Sequence, residues 1–132
     1  MIYADVKELL PQQTPYIFVD CIVDISPSDA TTLMQVRADS PLVIDGKLQE
    51  AGILENIAQT CAVHIGYYSD DIKVGVVGAI PSMEIMRLPR VDEILETTVT
   101  VTAEAFNMRA IEAVVCCTGT PIAKGVMKIS LT

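Results

Sequence analysis

The chain has 132 residues, 51% of them hydrophobic and 20% charged, and Lys plus Arg at 9 against Asp plus Glu at 17 leaves a net charge of −8. That length suits one domain, 1–132, around one continuous core, and the composition is too apolar for a disordered chain. The acidic balance argues against DNA or RNA as the main partner, because a polyanion binds by releasing its counterions to a basic face.

The first residues, MIYADVK, show no basic start followed by an apolar stretch, so no secretory signal is read there. The longest apolar run, VGVVGAI at 74–80, is too short and too glycine-rich to cross a bilayer. A cytoplasmic protein with no membrane partner is expected. Residues 17–25 (IFVDCIVDI) are rich in β-branched side chains and predict a strand. Pro27, Ser28 and Asp29 then predict a turn before a second strand at 31–36.

One long helix is predicted over 51–67 (AGILENIAQTCAVHIGY), where Leu54, Ile57, Ala58, Cys61, Ala62 and Ile65 repeat at the spacing of one helical face. At about 100° per residue, Glu55 and Gln59 fall on a border of that arc, while Asn56, Thr60 and His64 fall on its far side. After the helix, 74–86 reads as an apolar strand that Pro81 breaks into a bulge or an edge. Residues 88–92 form a loop. Strands follow at 97–101, 109–117 and 122–131, joined by short turns, which makes them an antiparallel meander. Together these elements predict an α+β chain in which a curved antiparallel sheet wraps around one central helix.

Cys21, Cys61, Cys116 and Cys117 form no Cys-x-x-Cys pair and lie at no zinc-ligand spacing from a histidine. They read as small apolar side chains without a disulfide or a metal. No phosphate-binding glycine loop and no Gly-x-Ser-x-Gly elbow is present, so nucleotide binding and serine hydrolysis have no support. The one histidine, His64, follows Glu55 by nine residues, which on a helix is about half a turn around and roughly 13 Å along the axis, so the two cannot pair within one chain. His64 therefore reads as a satisfied or partly exposed helix residue. Glu55, on the border of the apolar arc, reads either as a surface carboxylate or as an acid at the mouth of an apolar pocket.

At LLPQQTPYIFVD (9–20) and LENIAQ (54–59) the chain resembles the hot-dog-fold 3-hydroxyacyl-acyl-carrier-protein dehydratases. Their opening motif is Leu-Leu-Pro, two or three polar residues, then Pro-aromatic-aliphatic-aliphatic-Val-Asp, and their central helix carries Glu-x-x-Ala-Gln. LPRVDEI at 88–94 falls where the family has its loop before the meander, so the resemblance covers nearly the whole chain. The family's Gly-His-Phe-Pro-Gly segment is missing: 41–55 reads PLVIDGKLQEAGILE, shorter and without histidine. In this the chain is similar to the divergent aryl-polyene-type subfamily, one member of which can pair with a second, His-bearing hot-dog subunit.

The resemblance implies a hot-dog fold and a dimer with two sheets joined edge to edge, either a homo-oligomer or a heterodimer with another hot-dog subunit. It also implies acyl tunnels at the seam and a thioester substrate borne by acyl-carrier protein or coenzyme A. Glu55 matches the acid that protonates the leaving hydroxyl. Gln59 and the helix N-terminal residues Gly52 and Ile53 match the substrate-binding positions. Arg87, Arg90 and Lys47 are the cations available for carrier-protein docking. No cofactor is expected. A non-catalytic acyl-thioester-binding subunit and an acyl-CoA thioesterase are the alternative expectations.

Overall fold

The computed structural model describes residues 6, 9–10, 14–69 and 75–131; Pro11, Gln12 and Gln13 of the N-terminal motif and Val74 of the predicted strand lie outside them. In chain order the elements are β1 (Cys21–Ile25), β2 (Asp29–Gln35), β3 (Val43–Ile44), β4 (Lys47–Leu48), α1 (Glu50–Tyr67), β5 (Gly75–Ile85), β6 (Ile94–Ala105), β7 (Met108–Cys117) and β8 (Thr120–Leu131). Six strands pair antiparallel in the order β1-β2-β6-β7-β8-β5, and β3 with β4 forms a separate short ribbon. This is the sheet wrapped around one helix, and the fold is the hot-dog fold. Among the described residues no helix is long and apolar enough to cross a membrane.

The meander follows from its turns. Thr118 and Gly119 both take positive φ, at 52° and 75°, which is the backbone twist a two-residue hairpin needs. β5 lies at the sheet's edge, and its register against β8 shifts on both sides of Ala79, so Pro81 falls in the bulge that the sequence predicted. The inward faces of β6, β7 and β8 bring Leu95, Val99, Ile111, Val115, Met127 and Ile129 against Ile53, Ile57 and Cys61 of α1. A second cluster covers the helix from the other side, with Val19 and Ile22 packed on Ala62 and Val63.

Two expectations are corrected. Residues 17–20 lie outside β1: the Tyr16 carbonyl and the Phe18 N–H and carbonyl bond to Gln59 and Asn56 of the helix, and the Asp20 N–H is where bonding to β2 begins, at 2.8 Å from the Leu33 carbonyl. Asn56, Thr60 and His64, expected on the far side of the buried arc, are at 0–2% exposure, while Leu54 and Ala58 from within that arc remain partly open.

Polar partners make that burial possible. The Asn56 Nδ2 donates to the Phe18 carbonyl at 2.7 Å, and its Oδ1 accepts from the Thr97 hydroxyl. Thr60 Oγ1 donates to the Asn56 carbonyl at 2.8 Å, which leaves the Thr32 hydroxyl as the donor in the 2.8 Å Thr32–Thr60 contact. Each polar atom of the Asn56 side chain thus has a partner where an orphan would cost most. Asn56→Leu would leave the Phe18 carbonyl and the Thr97 hydroxyl buried without Asn56, and it is expected to lower stability by about 2–4 kcal/mol in urea unfolding.

Candidate functional site

α1 is enclosed on all but one strip. Between its exposed end residues Glu50 and Tyr67, Ala51, Leu54, Glu55 and Ala58 are the positions left open or half-open, and Glu55 is the charged one among these four. Leu42, Val43, Ile85, Leu88 and Val91 also pack on the core while staying partly exposed. Glu55 is a half-buried carboxylate between half-open Leu54 and Ala58 on the helix.

Gln59 holds it there. Its Oε1 accepts the Phe18 N–H at 2.7 Å, and its Nε2 donates to the Tyr16 carbonyl at 2.8 Å and to Glu55 Oε1 at 2.9 Å. The amide orientation is fixed by these neighbours, since an N–H can meet only the carbonyl end and a carbonyl only the NH₂ end. Glu55 Oε1 is then an acceptor in either protonation state, and the proton of the acid form belongs on Oε2.

The other expected substrate positions are occupied within the chain. The amides of Gly52 and Ile53 donate to the Gln49 carbonyl at 2.9 and 3.2 Å, and Ile53 is fully buried. Gln59, at 1% exposure, presents its side chain to Glu55 and the backbone, so its geometry is that of a positioning residue. Gln49 provides no side-chain cap, and among the described residues the Glu50 and Ala51 amides have no acceptor. Among the described residues the principal cavities do not include Glu55, so the pocket expected beside it is not observed in the single chain. A cavity of 320 Å³ with an apolar floor at Phe18, Met34, Val36 and Leu48 lies under the Asp20–Arg37 ion pair, and Glu55 does not line it.

His64 is locked in the core. Its Nε2 stands 2.7 Å from the Ser26 carbonyl, which makes that nitrogen the donor, and its ring meets Tyr68 edge to face at 5.8 Å. Burial pushes all four thiols up, Cys61 to about 12, so none is a ready nucleophile. Among the described residues no cluster of His, Cys, Asp or Glu could hold a metal ion.

The three cations differ from one another. Arg87 grips Glu93 through both guanidinium nitrogens at 2.8 Å each, and Glu93 also accepts the Arg90 backbone N–H at 2.8 Å. Lys47 is bridged to Arg90 next to the helix start, and among the described residues neither is in an ion pair. Asn56 was not singled out from the sequence, and Gln59, expected to bind substrate, bonds instead to Glu55 and to the backbone of residues 16 and 18. Their signal was two uncharged amides, each both donor and acceptor, three residues apart on a mainly apolar helix.

A family model described as ApeP-like, ApeP dehydratase, matches residues 4–129. Among solved structures, the dehydratase heterocomplex ApeI:P from Xenorhabdus doucetiae superposes with a TM-score of 0.90 at 18% identity, covering 99% of this chain and 93% of that one. A hypothetical thioesterase with coenzyme A from Streptococcus pneumoniae TIGR4 gives 0.67 at 15% identity over 84% of each chain. The E. coli PaaI protein from the phenylacetic acid degradation operon gives 0.68 at 14% identity over 83% of this chain and 80% of that one. At these identities the structures share the fold. No curated protein matches the chain.

The Arg87 guanidinium and the Arg90 amide hold the Glu93 carboxyl at about 2, below its ordinary 4.5. A depressed carboxyl stabilises the folded state fully above its unfolded value, and that contribution disappears as pH falls through about 2. Glu93→Gln should cost at most about 1 kcal/mol at pH 7, because the pair is solvent-screened, and the variant should converge with wild type in urea melts near pH 2.

Proposed function

We propose, for a chain that belongs to the ApeP-like family of dehydratases, that it is the acid-bearing subunit of a two-subunit enzyme that removes water from a 3-hydroxyacyl thioester. One observation carries this reading: Glu55 stands on the open strip with one oxygen held by Gln59, while the chain's one histidine is enclosed in the core against Ser26. The acid is available and the base is not.

In the elimination a base removes the C2 proton of the substrate. The C2–H electron pair becomes the C2=C3 double bond, the C3–O bond breaks, and the hydroxyl takes the Glu55 Oε2 proton and leaves as water. The imidazole that acts as base comes from a paired hot-dog subunit. β5 is the edge for that pairing: its 11 residues bond to β8 on one side, and Val76, Val77 and Ile80 are exposed. The opposite edge, β1, has 5 residues. An edge of that length with no partner strand among the described residues is a template for another strand. Pairing there brings a second helix over the Ala51–Leu54–Glu55–Ala58 strip and completes the apolar wall around the carboxylate. The similarity to a structure described as a dehydratase heterocomplex supports pairing with a different subunit.

The thioester arrives on acyl-carrier protein or coenzyme A, and Lys47 and Arg90, beside the uncapped Glu50 and Ala51 amides, are the docking cations. Arg87, already neutralised by Glu93, contributes less.

Assayed with a 3-hydroxyacyl thioester, the chain alone is expected to be silent, and adding a His-bearing hot-dog subunit should produce the ultraviolet absorbance of a conjugated enoyl thioester. Glu55→Gln within the assembled complex should lower kcat about 10²–10⁴-fold. Full turnover of that complex would refute the acid role, and thiol release without enoyl absorbance would make the protein a thioesterase. Lys47→Glu with Arg90→Glu is expected to raise KM for a carrier-borne substrate while leaving a short soluble thioester unaffected, and Arg87→Glu should do so to a smaller extent.

A further inference from the structure

The cavity under the Asp20–Arg37 pair has no part in the dehydratase reading. Its volume is 320 Å³ and none of its walls belongs to α1, so it is separate from the strip that carries Glu55. One wall is the segment with Thr14, Pro15, Ile17 and Phe18; the other is the end of β2 and the chain after it, from Met34 to Arg37 with Asp39 and Ser40. Voids in a folded interior rarely exceed one water molecule, whereas this volume lies at the lower end of the range for small-molecule sites.

The two walls are tied to different neighbours. Gln59 and Asn56 engage the Phe18 N–H and C=O, and Gln59 also takes the Tyr16 C=O, which binds this segment to the helix. On the other wall the Val36 N–H donates to the Glu93 carbonyl, and the Val36 carbonyl accepts the Asp92 N–H. Asp20 spans the gap at its mouth, where the carboxylate accepts the Gln35 N–H at 2.8 Å and the Arg37 guanidinium at 3.0 and 3.3 Å. A cavity framed by tied backbone is preformed, as ligand sites usually are.

What fits it follows from its lining. Phe18, Met34, Val36 and Leu48 form an apolar back, and Pro15 and Ile17 are apolar flanks left at least partly open. The rim is polar. Arg37 is satisfied by Asp20, whose hydrogen bonds are the main cause that raises the guanidinium pKa, and the nearby Asp39 charge adds to it. Two carboxylates against one guanidinium leave one negative charge in excess at the rim. Among the described residues Asp39 is in no ion pair, and the Thr14 and Ser40 hydroxyls have no hydrogen-bond partner. All three side chains can accept from a donor-rich head group, and the excess charge disfavours a carboxylate. The volume has room for about ten water-sized groups.

We propose that this cavity binds a small amphipathic amine, with an apolar tail of about eight carbons against Ile17, Phe18, Met34 and Val36 and an ammonium head at the rim beside Asp39.

The test follows the methyl signal of Met34 in the full chain carrying ¹³C-labelled methionine methyl groups, and Met34→Leu, close in volume, identifies that signal. Octylammonium should shift it saturably and leave Met86 and Met108, exposed elsewhere on the chain, in place. Octanoate, of equal length and opposite charge, should bind at least about ten-fold more weakly. Asp39→Asn, at an exposed turn position, should weaken octylammonium binding about five- to ten-fold and leave octanol binding unchanged. Octanoate binding as tightly as octylammonium would overturn the proposal, and so would an Asp39→Asn chain that binds octylammonium as wild type does. A Met34 signal that octylammonium never saturates would overturn it as well, since water alone would then fill the cavity. These readouts involve neither Glu55 nor a thioester, so they stand or fall apart from the dehydratase assay.

Discussion

Two buried carboxamides hold this structure together at the point where it becomes useful. Asn56 and Gln59 bond to the backbone of residues 16–18, an extended segment without a strand beside it. A buried backbone N–H or C=O needs a partner, and a sheet ladder is the usual source. Here the amides supply it because each carries a donor and an acceptor without a charge, and so tolerates exposures of 0% and 1%. The same bonds fix the orientation of Gln59, and through Gln59 the position of one Glu55 oxygen. The contact that closes the second side of the helix also sets the geometry of the acid.

The chain taken alone is chemically one-sided. Its carboxylate stands on the open strip of the helix, and its imidazole is held by a carbonyl on the turn between β1 and β2. Half-exposed Leu54 and Ala58 flank the carboxylate on the helix, and its one side-chain partner among the described residues is Gln59. Water that reaches the acid would weaken every electrostatic interaction there, and covering the strip with a second subunit would strengthen them. A dehydratase built from an acid-bearing and a base-bearing subunit suits such a chain better than two identical acids facing each other.

The sheet carries a comparable asymmetry on its outside. Threonines and charged residues are what a solvated outer face selects, and Thr31 and Thr98, bonded at 2.9 Å, follow that rule. The far end of the β6–β7 hairpin departs from it, with Ala103, Ala105 and Met108 on the outward row and the Glu104–Arg109 pair on the opposite one. Such an exception carries information because it costs solubility and returns no core packing.

Much of the architecture was legible from local sequence. The 3–4 spacing of apolar residues identified the helix, short turns made the last three strands a meander, and Pro81 marked an irregular edge, since each depends on residues that are neighbours in the chain. Glu55 could be singled out as a border carboxylate for the same reason. What stands against it came from far away in sequence: residues 16–18 reach the helix across 38 to 43 positions, fix Gln59 beside it and convert apparently solvent-facing Asn56 into core. The same holds for Glu93 neutralising Arg87, for Ser26 enclosing His64, and for the openness of Leu54 and Ala58. Periodicity determines which face of an element is apolar, but only the assembled chain determines what stands against each face, and burial, ion pairing and reactivity follow from that.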